Sequence, residues 1–145
     1  MDFVIYSSYA TFFHTKDENL RIHDLDILIK EKNYPKIMQA LKKRKIKFKF
    51  LPEWDTLEIK KGKLKIDIDR MGKGCKGIKQ GGLPKKTVRG DFYGIPVKLV
   101  TIQDLYNTYY RGYKLVPEEK VKLGKKVQYL KKFMNKNRKY FCKNN

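Results

Sequence analysis

Two short stretches carry the residue types most able to do chemistry. The first is His23-Asp24-Leu25-Asp26-Ile27-Leu28-Ile29, two aspartates one residue apart followed by an aliphatic run. The second is Lys65-Ile66-Asp67-Ile68-Asp69. On a strand, side chains alternate between faces, so Asp24 and Asp26 share one face, and so do Lys65, Asp67 and Asp69. Carboxylates held that close repel, and the arrangement is costly unless a cation lies between them. Three converging carboxylates can hold two divalent ions roughly 3.5–4 Å apart. Oxygen-only ligands suit Mg²⁺ or Mn²⁺ rather than zinc. The expected metal set is Asp24 and Asp26 with a third carboxylate from the second stretch, where Asp67 and Asp69 both qualify.

The elements that must position these groups follow from periodicity. Ile27, Leu28 and Ile29 read as a strand over about 24–29 buried on both faces. Ser7-Ser8-Tyr9-Ala10 opens a helix over about 7–13, and residues 14–23 are a polar loop. Asn33 and Pro35 fit the start of a second helix that ends near Lys45, with Tyr34, Ile37, Met38 and Leu41 inward. Ile46–Phe50 and Thr56–Lys60 alternate as half-buried strands, and Lys61-Gly62 turns into the strand of Asp67. Residues 71–89 are rich in glycine and lysine and read as a long loop, without the Gly-Lys-Ser/Thr ending of a Walker phosphate loop. Tyr93–Val100 is a strand. Thr101 and Asp104 suit a capping box for a helix to about Tyr110, and a last helix covers about 118–141. These elements describe one α+β domain over residues 1–145, a mixed sheet of about five strands with helices mainly on one face.

Composition narrows the setting. The 145 residues are 41% hydrophobic with ten Tyr and eight Phe, enough for a real core. No apolar run is long enough for a transmembrane helix, and the N-terminus has no basic region ahead of an apolar one. The two cysteines, Cys75 and Cys142, are too few for a disulfide framework or a zinc site, and they fit free thiols in a reducing cytoplasm. The net charge of +20, mostly from lysine, suits a polyanionic partner such as RNA, although a lysine-rich proteome would leave the same mark.

With these motifs in order, the chain resembles the nucleotidyltransferase superfamily that includes DNA polymerase beta, especially its small members. Those are the lincosamide and aminoglycoside adenylyltransferases and the abortive-infection toxins. Ser7-Ser8 falls where the family has Gly-Ser at a helix start. Arg21-Ile22-His23-Asp24-Leu25-Asp26 matches its Arg-then-Asp-x-Asp segment, and Ile66-Asp67-Ile68 falls where its third carboxylate belongs. The resemblance spans roughly residues 4–135. It implies a metal-dependent enzyme that moves a nucleoside monophosphate from a nucleoside triphosphate to an acceptor hydroxyl. Asp24, Asp26 and Asp67 would be catalytic and metal-binding, and Ser7, Ser8 and Arg21 would contact the nucleotide. Arg21 suits phosphate because its planar fork matches phosphate oxygens. Two departures stand out. Ser7 replaces the motif glycine, and Lys125-Lys126-Val127 stands where the family's last helix carries a Lys-Asp pair.

The charge and the lysines of residues 72–86 favour RNA as the acceptor. Two other readings stay open. One is a non-catalytic nucleotidyltransferase-like fold that binds RNA or a protein. The other is a metal-dependent nuclease built on Asp55, Glu58 and Lys60.

Overall fold

Near the N-terminus, Phe3-Val4-Ile5-Tyr6 are four apolar residues that form strand β1 (Phe3–Tyr6) in the interior of the sheet. The computed structural model describes residues 3–71, 84 and 86–138. β1 runs directly into helix α1 (Ser7–Thr15), with no loop between them. Tyr6 is extended, and Ser7 then takes a left-handed backbone, φ 64°, to turn the chain into the helix. A polar loop leads to β2 (Leu25–Lys30), which lies antiparallel to β1 with Tyr6 opposite Asp26.

Helix α2 (Tyr34–Lys43) follows a single 3-10 turn at Glu31–Asn33. Asn33, expected to cap it, makes no capping bond, because it is already helical within that turn and a cap needs extended backbone. Tyr34 and Leu41 are buried on the face of Ile29, Leu57 and Ile68, with Ile37 and Met38 packed beside them. The next strand, β3 (Lys49–Leu51), is shorter than the alternation of residues 46–50 implied. It is the sheet edge, and Ile46 and Phe50 remain exposed. β4 (Thr56–Lys61) and β5 (Leu64–Met71) form a hairpin around Gly62, whose φ of 61° suits glycine.

The sheet has seven strands rather than about five, in the order β3-β4-β5-β2-β1-β7-β6. The extra pair is a second hairpin, β6 (Thr87–Phe92) with β7 (Ile95–Val100). Thr87–Arg89 therefore belongs to a strand, not to the long loop, and Tyr93-Gly94 is a two-residue turn with positive φ at both positions. The alternation of β6 is hard to see because Gly90 fills an inward position. A Cβ there would meet Leu99 and the ring of Phe13. Residues 72–83 and 85, the bulk of the expected basic loop, lie outside the described residues.

β5 joins β2 in parallel and β7 joins β1 in parallel; the other pairs are antiparallel, so the sheet is mixed. Helix α3 (Ile102–Leu115) starts at Thr101, whose hydroxyl accepts the Asp104 N–H at 3.1 Å. It extends past the expected end at Tyr110 because Gly112 is buried and packing continues. A 3-10 turn at Pro117–Glu119 leads into α4 (Lys120–Lys136). Ile5, Leu99, Leu105 and Leu130 are fully buried in one core shared by α1, α3, α4 and the central strands. Burying each such side chain contributes about 1.5–3 kcal/mol before entropy is counted. Among the described residues no helix is long and apolar enough to cross a membrane.

Candidate metal and nucleotide site

The register of three strands assembles the acidic cluster. Asp26 of β2 sits opposite Asp67 of β5, and Asp67 sits opposite Glu58 of β4. Neighbouring strands lie about 4.8 Å apart, so side chains paired this way on one face come within reach of each other. Asp24 stands one residue before β2 and shares the face of Asp26. One carboxylate oxygen from each of Asp24, Asp26 and Asp67 lies within 4.8 Å of the others. This is the trio expected from the two Asp-x-Asp stretches.

Asp69 goes elsewhere. It is 3% exposed and lies one residue pair further along the same face, opposite Leu28 and Thr56. Both of its oxygens accept hydroxyl hydrogen bonds, one from Tyr6 and one from Thr56. Asp69 therefore braces β1, β4 and β5 together and is not a member of the cluster. Tyr6, whose pKa is raised well above that of a free phenol by burial and then by Asp69 and Asp26, keeps its proton for that bond.

Lys65 is the main cation inside the cluster. Its Nζ lies 2.7 Å from Asp67 Oδ2, 3.5 Å from Asp24 Oδ2 and 3.8 Å from Glu58 Oε2. Burial pulls its pKa down, but the bond to Asp67 and the charges of Asp67 and Asp24 outweigh this, and the net shift is upward. Asp67 is nevertheless raised too. Burial is the largest cause, and Asp24 and Asp69 add to it against the pull of Lys65. The two partners shift the same way because burial, with the crowded carboxylates behind it, outweighs the pull of one ammonium on Asp67. The other oxygen of Asp67, Oδ1, is buried with no hydrogen-bond partner.

Asp26 is shifted upward as well. Burial and then the neighbouring Asp24 raise its pKa to about 7, while the Ser7 hydroxyl pulls the other way. Ser7 is itself buried and accepts a 3.4 Å bond from the Tyr109 hydroxyl of α3. Burial holds that phenol up at about 12. Across from them α4 supplies Lys126, whose ammonium lies 4.7 Å from the centre of the Tyr109 ring. Burial lowers the Lys126 pKa, and the charges of Asp26 and Asp24 partly restore it.

No family model, curated protein or solved structure matches the chain. The site is therefore read from its own residues. The start of α1, with Ser7, meets the carboxylates at Asp26, and Ser8 follows it, partly buried. Arg21 is exposed on the loop before β2 and makes no hydrogen bond or ion pair with any described residue. His23 lines an open groove beside Asp24. Of the residues of the nuclease alternative, Asp55 is bound at 2.7 Å by Arg70, and Glu58 pairs with Lys60 and Lys65. Cys75 and Cys142 lie outside the described residues.

Sequence reasoning passed over Lys65, Tyr109 and the exact part of Lys126. For Lys65 the signal was present, since alternation already places it on the face of Asp67. Tyr109 and Lys126 had no local signal, because only the packing of α3 and α4 brings them to β2.

The donor set fits a hard divalent cation. Asp24, Asp26 and Asp67 offer only oxygen, and Asp67 Oδ1 is a buried acceptor with nothing to accept from.

Proposed function

We propose that the protein is a metal-dependent nucleotidyltransferase that moves a nucleoside monophosphate from a nucleoside triphosphate to an acceptor hydroxyl, with RNA as the favoured acceptor. The observation that carries this reading is the convergence of Asp24, Asp26 and Asp67 at the start of α1, with a buried, unpartnered oxygen on Asp67. The resemblance of residues 4–135 to the superfamily points the same way.

In this reading the three carboxylates hold Mg²⁺ or Mn²⁺. When bound, the metal polarises the phosphoryl group and eases ionisation of the attacking hydroxyl. The chain's own groups do the positioning. The Ser7–Ser8 helix start offers N–H donors to phosphate oxygens, and α1 directs its positive end there. Lys126, half-buried and within electrostatic reach of Asp26 and Asp24, offsets the charge of the triphosphate. The acceptor oxygen bonds to the α-phosphorus, the bridge to the β-phosphate breaks, and pyrophosphate leaves. The hydroxyl proton passes to a carboxylate of the cluster.

Ser7 in place of glycine is compatible with this role at the level of backbone. Its φ of 64° is the conformation glycine adopts freely, so the turn into α1 is retained at some cost.

One observation favours a second reading. Lys65 already bridges Asp67 and Asp24, so the cluster has a built-in counter-ion and could serve a non-catalytic RNA- or protein-binding fold. Thermal unfolding with and without Mg²⁺ separates the two. Mg²⁺ should raise the melting temperature of the wild type and not of Asp26→Asn, and labelled nucleoside triphosphate should pass its label to RNA. No Mg²⁺ shift and no label transfer would leave the binding fold.

A further inference from the structure

The open groove beside Asp24 has a volume of about 190 Å³ and is walled by Tyr9, Ile22, Leu64, Phe92 and Tyr93, with Lys63 also in its lining. Three of its aromatic rings form a chain. Tyr9 and Phe92 meet edge to face at 5.0 Å, and Phe92 and Tyr93 do the same at 5.0 Å. The Tyr9 hydroxyl donates to the Asp91 carbonyl at 2.8 Å, which ties α1 to the hairpin at this point. Tyr93 is the outermost ring and is 90% exposed.

Folding alone does not explain Tyr93. It occupies the first position of the two-residue β6–β7 turn with φ 51°, followed by Gly94 with φ 80°. Such turns strongly prefer Asn, Asp or Gly at that position, and a bulky side chain there carries backbone strain. The ring also gains almost no burial. The turn is otherwise well made, since Asp91 accepts the Gly94 N–H at 2.8 Å. An exposed aromatic held in a costly conformation at the mouth of a groove needs a partner that stacks.

We propose that this groove seats the terminal base of a single-stranded RNA acceptor, with Tyr93 as the outer stacking surface. The choice of acceptor rests on the nucleotidyl-transfer reading. Of the three clustered carboxylates, only Asp24 lines the groove, whereas the Ser7 hydroxyl bonds Asp26 and Lys126 lies within electrostatic reach of both Asp26 and Asp24. In-line displacement puts the attacking and leaving oxygens on opposite sides of the phosphorus. With the triphosphate at the Ser7 helix start, beside Asp26, the attacking hydroxyl arrives from the Asp24 side, out of the groove. Lys63 in the lining and the charge of +20 suit the backbone behind that base.

The test uses a short single-stranded oligoadenylate with a fluorescent adenine analogue at its hydroxyl end, titrated in chelator without nucleoside triphosphate. Stacking on Tyr93 should quench the analogue. Tyr93→Ala should weaken binding about tenfold and abolish the quench, in line with the usual worth of one stacked base. Tyr93→Trp should keep both, and Tyr110→Ala, at an exposed tyrosine far along α3, should change neither. Unchanged RNA affinity in Tyr93→Ala would overturn the proposal. So would weakened binding of free nucleoside triphosphate with RNA binding intact, which would make the groove the donor's seat, or equal affinity for blunt duplex RNA. The Mg²⁺ melting shift of the wild type is scored separately. If that shift is absent while Tyr93-dependent quenching persists, the base seat stands and the transfer chemistry falls.

Discussion

Lys65 and Asp67 lie two residues apart on one strand, and the ammonium binds one oxygen of the carboxylate at 2.7 Å while the other oxygen is buried without a partner. Alternation on β5 puts the two side chains on the same face, and the register with β2 brings Asp24 and Asp26 to them. The strand thus carries both an acid of the cluster and the cation that makes the cluster tolerable. A divalent ion would compete with that ammonium for the same carboxylates.

Lys65→Gln should therefore have opposite effects on the two states. Without metal, the carboxylates repel unopposed, and stability should fall by about 1 kcal/mol for this partly screened cation. With Mg²⁺, the competing charge is gone and binding should tighten several-fold. Denaturant unfolding and Mg²⁺ titration by melting temperature read the two effects. Weaker Mg²⁺ binding in the variant would show that Lys65 supports the ion rather than competing with it.

The pH dependence of Asp26 follows from its pKa of about 7. The unfolded chain releases this proton near the ordinary value of about 3.9. Between those values the folded state holds a proton that the unfolded state lacks, so metal-free stability should fall as pH rises from about 4 to about 7. Asp26→Asn removes the ionisation. It should be more stable than the wild type at pH 8, by on the order of 2 kcal/mol, with the gap closing towards pH 4. Metal binding runs the other way, since the ion needs the carboxylate, and Mg²⁺ affinity should rise through pH 7. Melting curves of both proteins across pH, with and without Mg²⁺, measure all of this.

Ser7 combines a positive φ with a buried hydroxyl that accepts from Tyr109. Ser7→Ala and Ser7→Gly both lose the hydroxyl, but only glycine relieves the left-handed backbone. The glycine variant should be the more stable of the two by about 1 kcal/mol, compared by urea unfolding. Equal stabilities would mean that the turn into α1 carries no strain.

Gly90 has no room for a side chain, with Leu99 fully buried and the ring of Phe13 lying across it. Gly90→Ala should cost about 1–3 kcal/mol by overpacking. Because the Leu99 side chain is what a Cβ meets first, the paired change Gly90→Ala with Leu99→Ala should cost less than the sum of the two single changes. Calorimetric melting of the single and double variants decides it.

Much of the site was legible from local pattern. Two Asp-x-Asp strands, each with its acids on one face, follow from the two-residue period of a β-strand, and the aliphatic run after Asp26 marks a strand inside the sheet. The Ser7 helix start and the hairpin at Gly62 are equally local. What local pattern could not decide was which aspartate of the second strand joins the first. Asp67 and Asp69 share a face, and both satisfy alternation. The choice is made by register, in which Asp26 pairs with Asp67 and leaves Asp69 between Tyr6 and Thr56. Register is a contract between strands far apart in the chain. It depends on the packing of Leu28, Ile68 and Leu57 at once. The arrival of Lys126 and Tyr109 beside Asp26, and of Tyr93 beside Asp24, is of the same kind. Those side chains belong to elements whose own periodicity says only which face is apolar. Where that face docks is set by the shape of the assembled core.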